Sequence, residues 1–172
     1  VEMGELFEDE IKSIEESVEE LIGKKININS SKQLAEVLFE DLELPVIKKN
    51  KTGPSTDQEV LEALSGRHEI IDYILRYRTI AKLKTTYIDG MVDLIKEDGK
   101  IHTTFQQTIA QTGRISSTNP NLQNIPIRTE EGRLIRKAFV PSKGSVLLDA
   151  DYSQIELRAV SYTHLRTHET GR

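Results

Sequence analysis

Apolar residues recur at intervals of three and four along the first part of the chain. The first series lies on an acidic background and comprises Phe7, Ile11, Ile14, Val18 and Leu21. This spacing predicts an amphipathic helix whose narrow apolar stripe packs against the rest of the protein. Gly23 follows the series and is the expected end of the helix.

Two capping boxes predict the starts of two further helices. Ser30 and Gln33 stand three residues apart before one apolar series, and Thr56 and Glu59 stand three residues apart before another. A Ser or Thr cap with Glu or Gln at the third helical position can satisfy two backbone donors at a helix start. A longer helical pattern follows, from about residue 68 to residue 95.

The second half of the chain has a different pattern. Residues 101–108 have the β-branched and aromatic content of a strand. Residues 111–129 are polar and interrupted by two prolines, which is typical of a long loop that is either functional or disordered. The apolar run Val146–Leu148 predicts a buried strand, and a helix-compatible segment follows it. Helices followed by strands in this order indicate an α+β fold.

Composition and charge narrow the functional classes. The 172 residues contain no Cys, which excludes a disulfide framework and a thiolate metal site, and no apolar run is long enough to cross a membrane. The net charge is −5, but residues 1–22 alone carry −8, whereas residues 100–145 carry +5. The acidic total therefore conceals a basic segment that suits a polyanion.

Four blocks of sequence resemble family A DNA polymerases of the bacterial DNA polymerase I type. In chain order these are 49–57 (KNKTGPSTD), 81–87 (AKLKTTY), 112–128 (TGRISSTNPNLQNIPIR) and 149–158 (DADYSQIELR). The resemblance implies an incomplete right-hand polymerase fold. Residues 1–95 would be a helical thumb segment with the thumb–palm junction, and residues 96–159 would be the first part of the palm. Residues 160–172 resemble translated adapter sequence, and we interpret them as a non-native tail.

The last block implies a catalytic centre. By resemblance, Asp151 is the first of two aspartates that bridge two Mg²⁺ ions, and the Tyr152 carbonyl is a further metal ligand. The residues implied to bind the incoming deoxynucleoside triphosphate are Tyr152, Ser153, Gln154, Ile155 and Glu156. Glu156 would also disfavour a ribose 2′-hydroxyl. The second aspartate motif of the family is not among these 172 residues, so we expect the chain alone not to polymerise DNA.

The other blocks imply contacts with primer–template DNA. The candidates are Lys49, Lys51, Ser55, Thr56, Lys82, Lys84, Arg114, Asn121, Gln123, Asn124 and Arg128. Arg114 can donate to minor-groove acceptors that all base pairs share, and the lysines can contact phosphates. Taken singly, each Lys could equally be a solvated surface residue, and a lone Asn is more often part of a self-bonded turn. We expect a monomer in the bacterial cytoplasm, associated with the nucleoid.

Two other functions compete with that interpretation. A non-catalytic module that binds duplex DNA would keep the thumb and the groove-contact loop without the chemistry. A nuclease is less well supported, because the aspartate motif has no neighbouring set of Asp, Glu or His ligands. The native reading frame downstream of this sequence would separate an enzyme from a binding module.

Overall fold

The computed structural model describes residues 2–51 and 53–169, and these form two compact units, one ending at Arg136 and the other beginning at Lys137. The α-helices are α1 (Glu2–Ile22), α2 (Ser31–Glu36), α3 (Gln58–Leu64), α4 (Glu69–Leu83), α5 (Gly90–Val92), α6 (Glu130–Lys137) and α7 (Ile155–Glu169). The strands are β1 (Lys49–Asn50), β2 (Gly53–Pro54), β3 (Thr104–Gln106) and β4 (Ser116–Thr118). They pair as two antiparallel hairpins, β1–β2 and β3–β4. The α+β expectation is confirmed.

Helix α1 packs along α4 and provides one wall of the core. The predicted stripe is correct, since Phe7, Ile14 and Val18 are buried. The largest fully buried side chains come from several helices and comprise Val18, Ile28, Leu34, Val37, Leu38, Val60, Leu61, Leu64, Ile70, Ile71, Ile74 and Ile80. All of them precede residue 81, so the core of the first unit is built mainly from its helical part.

The helix starts confirm one predicted cap and correct the other. Ser30 caps α2, as its side chain accepts a hydrogen bond from the Gln33 N–H at 3.4 Å. The Gln33 side chain bonds the Asn27 N–H at 2.9 Å instead of closing the box on Ser30. Helix α3 is capped by Asp57 rather than Thr56, because Thr56 is buried and the Asp57 carboxylate accepts from the Val60 N–H. A carboxylate suits this position because it also meets the positive end of the helix dipole.

The long helical pattern forms three successive segments. Helix α4 passes into a π-helical stretch, Lys84–Asp89, and then into α5. After a turn at Gly99, which has φ +73°, Ile101 bridges back to Ile95. The predicted strand over 101–108 is therefore shorter, and the predicted loop over 111–129 contains strand β4 and a short 3₁₀ helix, Leu122–Asn124.

The predicted buried strand at Val146–Leu148 is wrong for this structure. Residues 145–150 have no regular structure, and the three apolar side chains are 72–89% exposed. A strand needs a partner for its backbone groups and a surface for its apolar face, and within 137–169 no strand is present to pair with it. None of the helices in the described residues is long and apolar enough to cross a membrane.

Candidate nucleic-acid interface and aspartate segment

The basic, polar part of the first unit is built on the β3–β4 hairpin. Phe105 pairs with Ser117 across the two strands, and the connection turns at Gly113, whose φ of +73° favours glycine. Arg114 follows that glycine directly and is exposed. The hairpin thus carries the predicted groove-contact arginine at the end of a short, defined turn.

The residues after β4 form an ordered network rather than a loose loop. The buried Ser117 hydroxyl accepts a hydrogen bond from the Leu122 N–H at 2.9 Å, and the Asn121 side-chain oxygen accepts from the Gln123 N–H at 2.9 Å. The Gln123 side-chain amide donates to the Ile115 carbonyl at 2.8 Å. Because these atoms already have partners, a DNA contact by Asn121 in this conformation would use its side-chain NH₂. The self-bonded turn that the sequence also allowed for Asn121 is therefore present in the structure.

The same segment is held from the helical side. The hydroxyl of Tyr87, in the π-helical stretch, donates to the Asn124 backbone carbonyl. On the other flank, the Thr103 hydroxyl lies 3.1 Å from the Thr118 carbonyl oxygen and 2.7 Å from that of Pro120. The side chains of Asn124 and Arg128 are exposed. The backbone of this segment is anchored while its candidate contact groups face outward.

Helix α6 closes the segment at its far end. Thr129 caps the helix by accepting from the Gly132 N–H at 3.1 Å. Gly132 lies against Pro126 so closely that a Cβ on it would stand 2.7 Å from the Pro126 carbonyl oxygen. A glycine within a helical pattern was the available signal for such a close approach.

The β1–β2 hairpin carries a second group of candidates. Lys49 and Lys51 are exposed, whereas Ser55 and Thr56 are buried, and Thr52 lies outside the described residues. Lys48 instead forms an ion pair with Asp57 at 2.8 Å. That pair, together with the Val60 N–H, lowers the pKa of the Asp57 carboxyl to about 2. In this conformation only the two lysines could reach a phosphate directly.

A cleft of about 750 Å³ separates this hairpin from the start of α2. Its lining includes Ser31, Lys32, Asn50 and Arg78. The Arg78 guanidinium donates to the Thr56 carbonyl at 2.6 Å, and burial lowers the pKa of Arg78. Arg78 therefore holds the backbone between the hairpin and α3 in place.

The two candidate lysines of the helical junction differ in their surroundings. Lys82, in the last turn of α4, is exposed. Lys84 is half-buried and pairs with Asp89 at 3.0 Å. A phosphate contact by Lys84 would compete with its ion pair to Asp89. A phosphate contact by Lys82 would not disturb that ion pair.

The aspartate segment belongs to the second unit. Asp149, Asp151 and the residues up to Gln154 are exposed and form no helix or strand, and α7 begins at Ile155. Gln154 has φ +57°, a left-handed conformation just before the helix. Residues 160–172 are the segment that we interpret as a non-native tail. Helix α7 continues through this segment as far as Glu169, and Thr170 to Arg172 lie outside the described residues.

The metal expectation finds only part of a site. Asp151 and the Tyr152 carbonyl offer oxygen donors of the kind that Mg²⁺ prefers. However, no group of three or more His, Asp or Glu side chains converges among the residues that the structure describes. The residues present therefore match a divalent ion in donor type and not in number.

The candidates fall into two groups. Asp151 and the nucleotide-binding candidates up to Glu156 lie in the second unit, and the DNA-contact candidates lie in the first. Within the first unit the structure brings Asn121, Gln123, Asn124 and Arg128 into one anchored segment. The individual roles of all these residues stay predictions.

Comparison with known proteins gives a consistent family. The model of the family described as DNA polymerase family A matches residues 1–166. DNA polymerase I of Bacillus subtilis (strain 168) is 56% identical over 162 residues, which are 93% of this chain and 18% of that protein. DNA polymerase I of Geobacillus stearothermophilus is 53% identical over 163 residues, 94% of this chain and 19% of that protein. The chain thus spans about a fifth of the length of these relatives.

A solved structure is similar in fold as well as sequence. It is the POL domain of Pol1 from M. smegmatis in complex with DNA primer-template and dNTP. The TM-score is 0.79 at 48% sequence identity, and the match covers 93% of this chain and 29% of that chain. The similarity therefore extends through both the helical part and the hairpin part of these residues.

Proposed function

The chain belongs to DNA polymerase family A, and from that premise we propose that the protein containing it carries out template-directed DNA synthesis. The reaction would transfer a nucleotide from a deoxynucleoside triphosphate to a primer 3′-hydroxyl. The observation that carries this proposal is the family match over residues 1–166, with 56% identity to a DNA polymerase I. The M. smegmatis relative, solved with primer-template and dNTP, supports the same substrates.

The first unit would hold the duplex without reading its sequence. Arg114 and the segment bearing Asn121, Gln123, Asn124 and Arg128 offer donors suited to minor-groove acceptors and to phosphates. Purine N3 and pyrimidine O2 occur in every base pair, so such contacts test base-pair shape. Lys49, Lys51 and Lys82 would add sequence-independent attraction to the backbone.

The second unit would contribute one carboxylate to the chemistry. Divalent ions, when bound, supply charge stabilisation at the attacking and leaving oxygens of phosphoryl transfer. We propose Mg²⁺ as that ion, with Asp151 and the Tyr152 carbonyl among its ligands. Because the described residues do not assemble a full ligand set, we assign no step of the reaction to these two groups alone. We propose that the 172-residue chain by itself does not extend primers.

Primer extension by the whole protein tests the role of Asp151. Asp151→Ala should abolish extension and leave the Kd for duplex DNA nearly unchanged, because the carboxylate serves chemistry rather than binding. Asp149→Ala, two residues away and also exposed, is the matched control and should retain extension. Near-normal extension by Asp151→Ala would refute the assignment.

A second test addresses the groove contact. Arg114→Ala should slow extension from matched primer ends, since the guanidinium donates to the groove edge near the growing end. Lys143→Ala removes one exposed cation from a turn outside the proposed interface and should have little effect. Equal rates for the two variants would remove the assigned contact from Arg114.

A duplex-binding module remains the second candidate. It is favoured by one observation: the first unit has its own buried core and contains all the DNA-contact candidates. Binding of duplex DNA by the 172-residue chain, together with no extension activity in the whole protein, would support the module. Extension activity that requires Asp151 would support the polymerase.

The proposal also covers the oligomeric state of the protein and its location in the cell. We propose a monomer located in the bacterial cytoplasm and associated with the nucleoid. A sedimentation experiment at several concentrations should give the mass of one chain. A concentration-dependent mass would contradict the monomer.

A further inference from the structure

Helix α6 touches the candidate groove segment through its backbone. A Cβ at Gly132 would lie 2.7 Å from the Pro126 carbonyl oxygen and 2.9 Å from its carbon. Both partners at that distance are backbone atoms, which cannot rotate away as a side chain can. Any other residue at position 132 would therefore push the helix and the segment apart.

An arginine on α4 fixes α6 in turn. Arg76 Nε lies 2.6 Å from a Glu10 carboxylate oxygen on α1, and its Nη1 lies 2.6 Å from a Glu131 carboxylate oxygen on α6. The Glu131 side chain is only 16% exposed. Its own backbone N–H and the Arg76 guanidinium lower the pKa of Glu131, so its carboxylate is charged near neutral pH. The guanidinium fork can serve two carboxylates at once, which a Lys ammonium cannot do in the same geometry.

The opposite side of the segment is held by Tyr87, which donates to the Asn124 carbonyl. The backbone of the segment from Asn121 to Arg128 thus has two close contacts, a hydrogen bond at the Asn124 carbonyl and tight packing of Gly132 against the Pro126 carbonyl. Neither fixing contact uses a side chain proposed to contact DNA. A change in Arg76, Glu131 or Gly132 should therefore move the side chains proposed to contact DNA without removing any of them.

We propose that Arg76, Glu131 and Gly132 are positioning residues that hold the Asn121–Arg128 segment in the position it needs for DNA contact. This inference rests on the proposed function, since it assumes that the segment contacts a duplex. It assigns the three residues no contact with DNA of their own. Their effect passes through α6 and the Pro126 carbonyl.

Matched variants of the 172-residue chain test the proposal. Glu131→Ala and Glu130→Ala remove the same charge from the first turn of α6, but Glu130 is exposed whereas Glu131 pairs with Arg76. In Glu131→Ala, the Leu122 and Gln123 amides should exchange with solvent about tenfold faster, with a rise of similar size in the Kd for a labelled duplex. Glu130→Ala should change neither quantity, and the Ile71 and Ile74 amides should stay protected in both.

Two further variants separate positioning from general destabilisation. Arg76→Lys should give part of the effect of Glu131→Ala, because it keeps the charge and loses the fork. Gly132→Ala should give the largest change in Leu122 and Gln123 exchange. If Gly132→Ala does not fold, the Glu131→Ala and Arg76→Lys pair still decides the question.

The outcomes are distinct. Unchanged exchange of the Leu122 and Gln123 amides in Glu131→Ala would overturn the proposal. Faster exchange with an unaltered Kd, while Arg128→Ala still weakens binding, would also overturn it, because the position of the segment would not matter. If Arg128→Ala and Arg114→Ala both leave the Kd unchanged, the proposed DNA interface itself fails, and the inference fails with it.

Discussion

The two units of this chain use similar apolar sequences in opposite ways. In the first unit, Ile70, Ile71 and Ile74 lie on α4 and are fully buried. In the second, Val146, Leu147 and Leu148 are just as apolar and are 72–89% exposed. Among residues 137–164, Phe139 is half-buried and no side chain is fully buried. The difference teaches that an apolar run specifies burial only where another element supplies the opposing surface.

Truncating one apolar side chain in each unit tests the difference in burial between the two units most directly. Ile74→Ala should lower the free energy of unfolding by about 2–5 kcal/mol, because it leaves a cavity between packed helices. Leu148→Ala should change it by no more than about 0.5 kcal/mol. Urea denaturation followed by circular dichroism measures both. A comparable loss in Leu148→Ala would mean that the second unit has a core in solution.

Removing one tyrosine hydroxyl from each unit tests the same difference, with a smaller expected change in the free energy of unfolding. Tyr87→Phe removes the donor to the Asn124 carbonyl and should cost about 1 kcal/mol of unfolding free energy. Tyr152 is 77% exposed, so Tyr152→Phe is the control and should fall within about 0.5 kcal/mol of the unaltered chain. Equal effects of the two changes would argue against a structural role for the Tyr87 hydroxyl.

Acid unfolding offers a third contrast. The pKa of Asp57 is lowered from 3.8 to about 2, chiefly by Lys48, so the folded state holds this proton less readily than the unfolded chain. The carboxylate therefore stabilises the fold above about pH 4, and that contribution is lost as the pH falls towards about 2. Asp57→Asn retains an acceptor for the α3 cap and should flatten this part of the stability curve. If Asp57→Asn leaves the slope of stability between about pH 4 and pH 2 unchanged, the assignment is contradicted.

The smallest expected effect comes from removing the second unit. A chain ending at Arg136 should keep the unfolding midpoint of the first unit nearly unchanged, since all the largest fully buried side chains of that core precede position 81. The comparison is made by thermal denaturation of the two chains. A fall of more than a few degrees, the shift expected for about 1 kcal/mol, would show that the second unit stabilises the first.

Local chemistry predicted the helical part well. The stripe on α1, the Ser30 cap and the stop at Gly23, whose φ is +70°, all follow from spacing and backbone freedom near one position. The cap of α3 was placed one residue early. Both Thr56 and Asp57 can cap a helix, and the choice depended on Lys48 reaching Asp57 and on Arg78 bonding the Thr56 carbonyl.

The sequence indicated candidate residues for the site, and it did not indicate the contacts that hold them. The motif from Thr112 to Arg128 indicated candidate contact groups through resemblance, but the proposed support of that segment depends on the ion pair between Arg76 and Glu131, which lie 55 residues apart in sequence. No local pattern relates such residues. The structure places Gly132 within α6, and the reason for a glycine there exists only where Pro126 approaches it.

By itself, the sequence determined the helix periods, the family and the residues suited to DNA and metal chemistry, because these depend on side-chain type and local spacing. Only the tertiary structure decided that Val146–Leu148 lies exposed and that Ser55 and Thr56 are buried. It alone decided that the candidate groove segment is held by the Tyr87 hydrogen bond and packs closely against α6. The physical reason is that burial and bracing are properties of two surfaces in contact, and the second surface is distant in the chain.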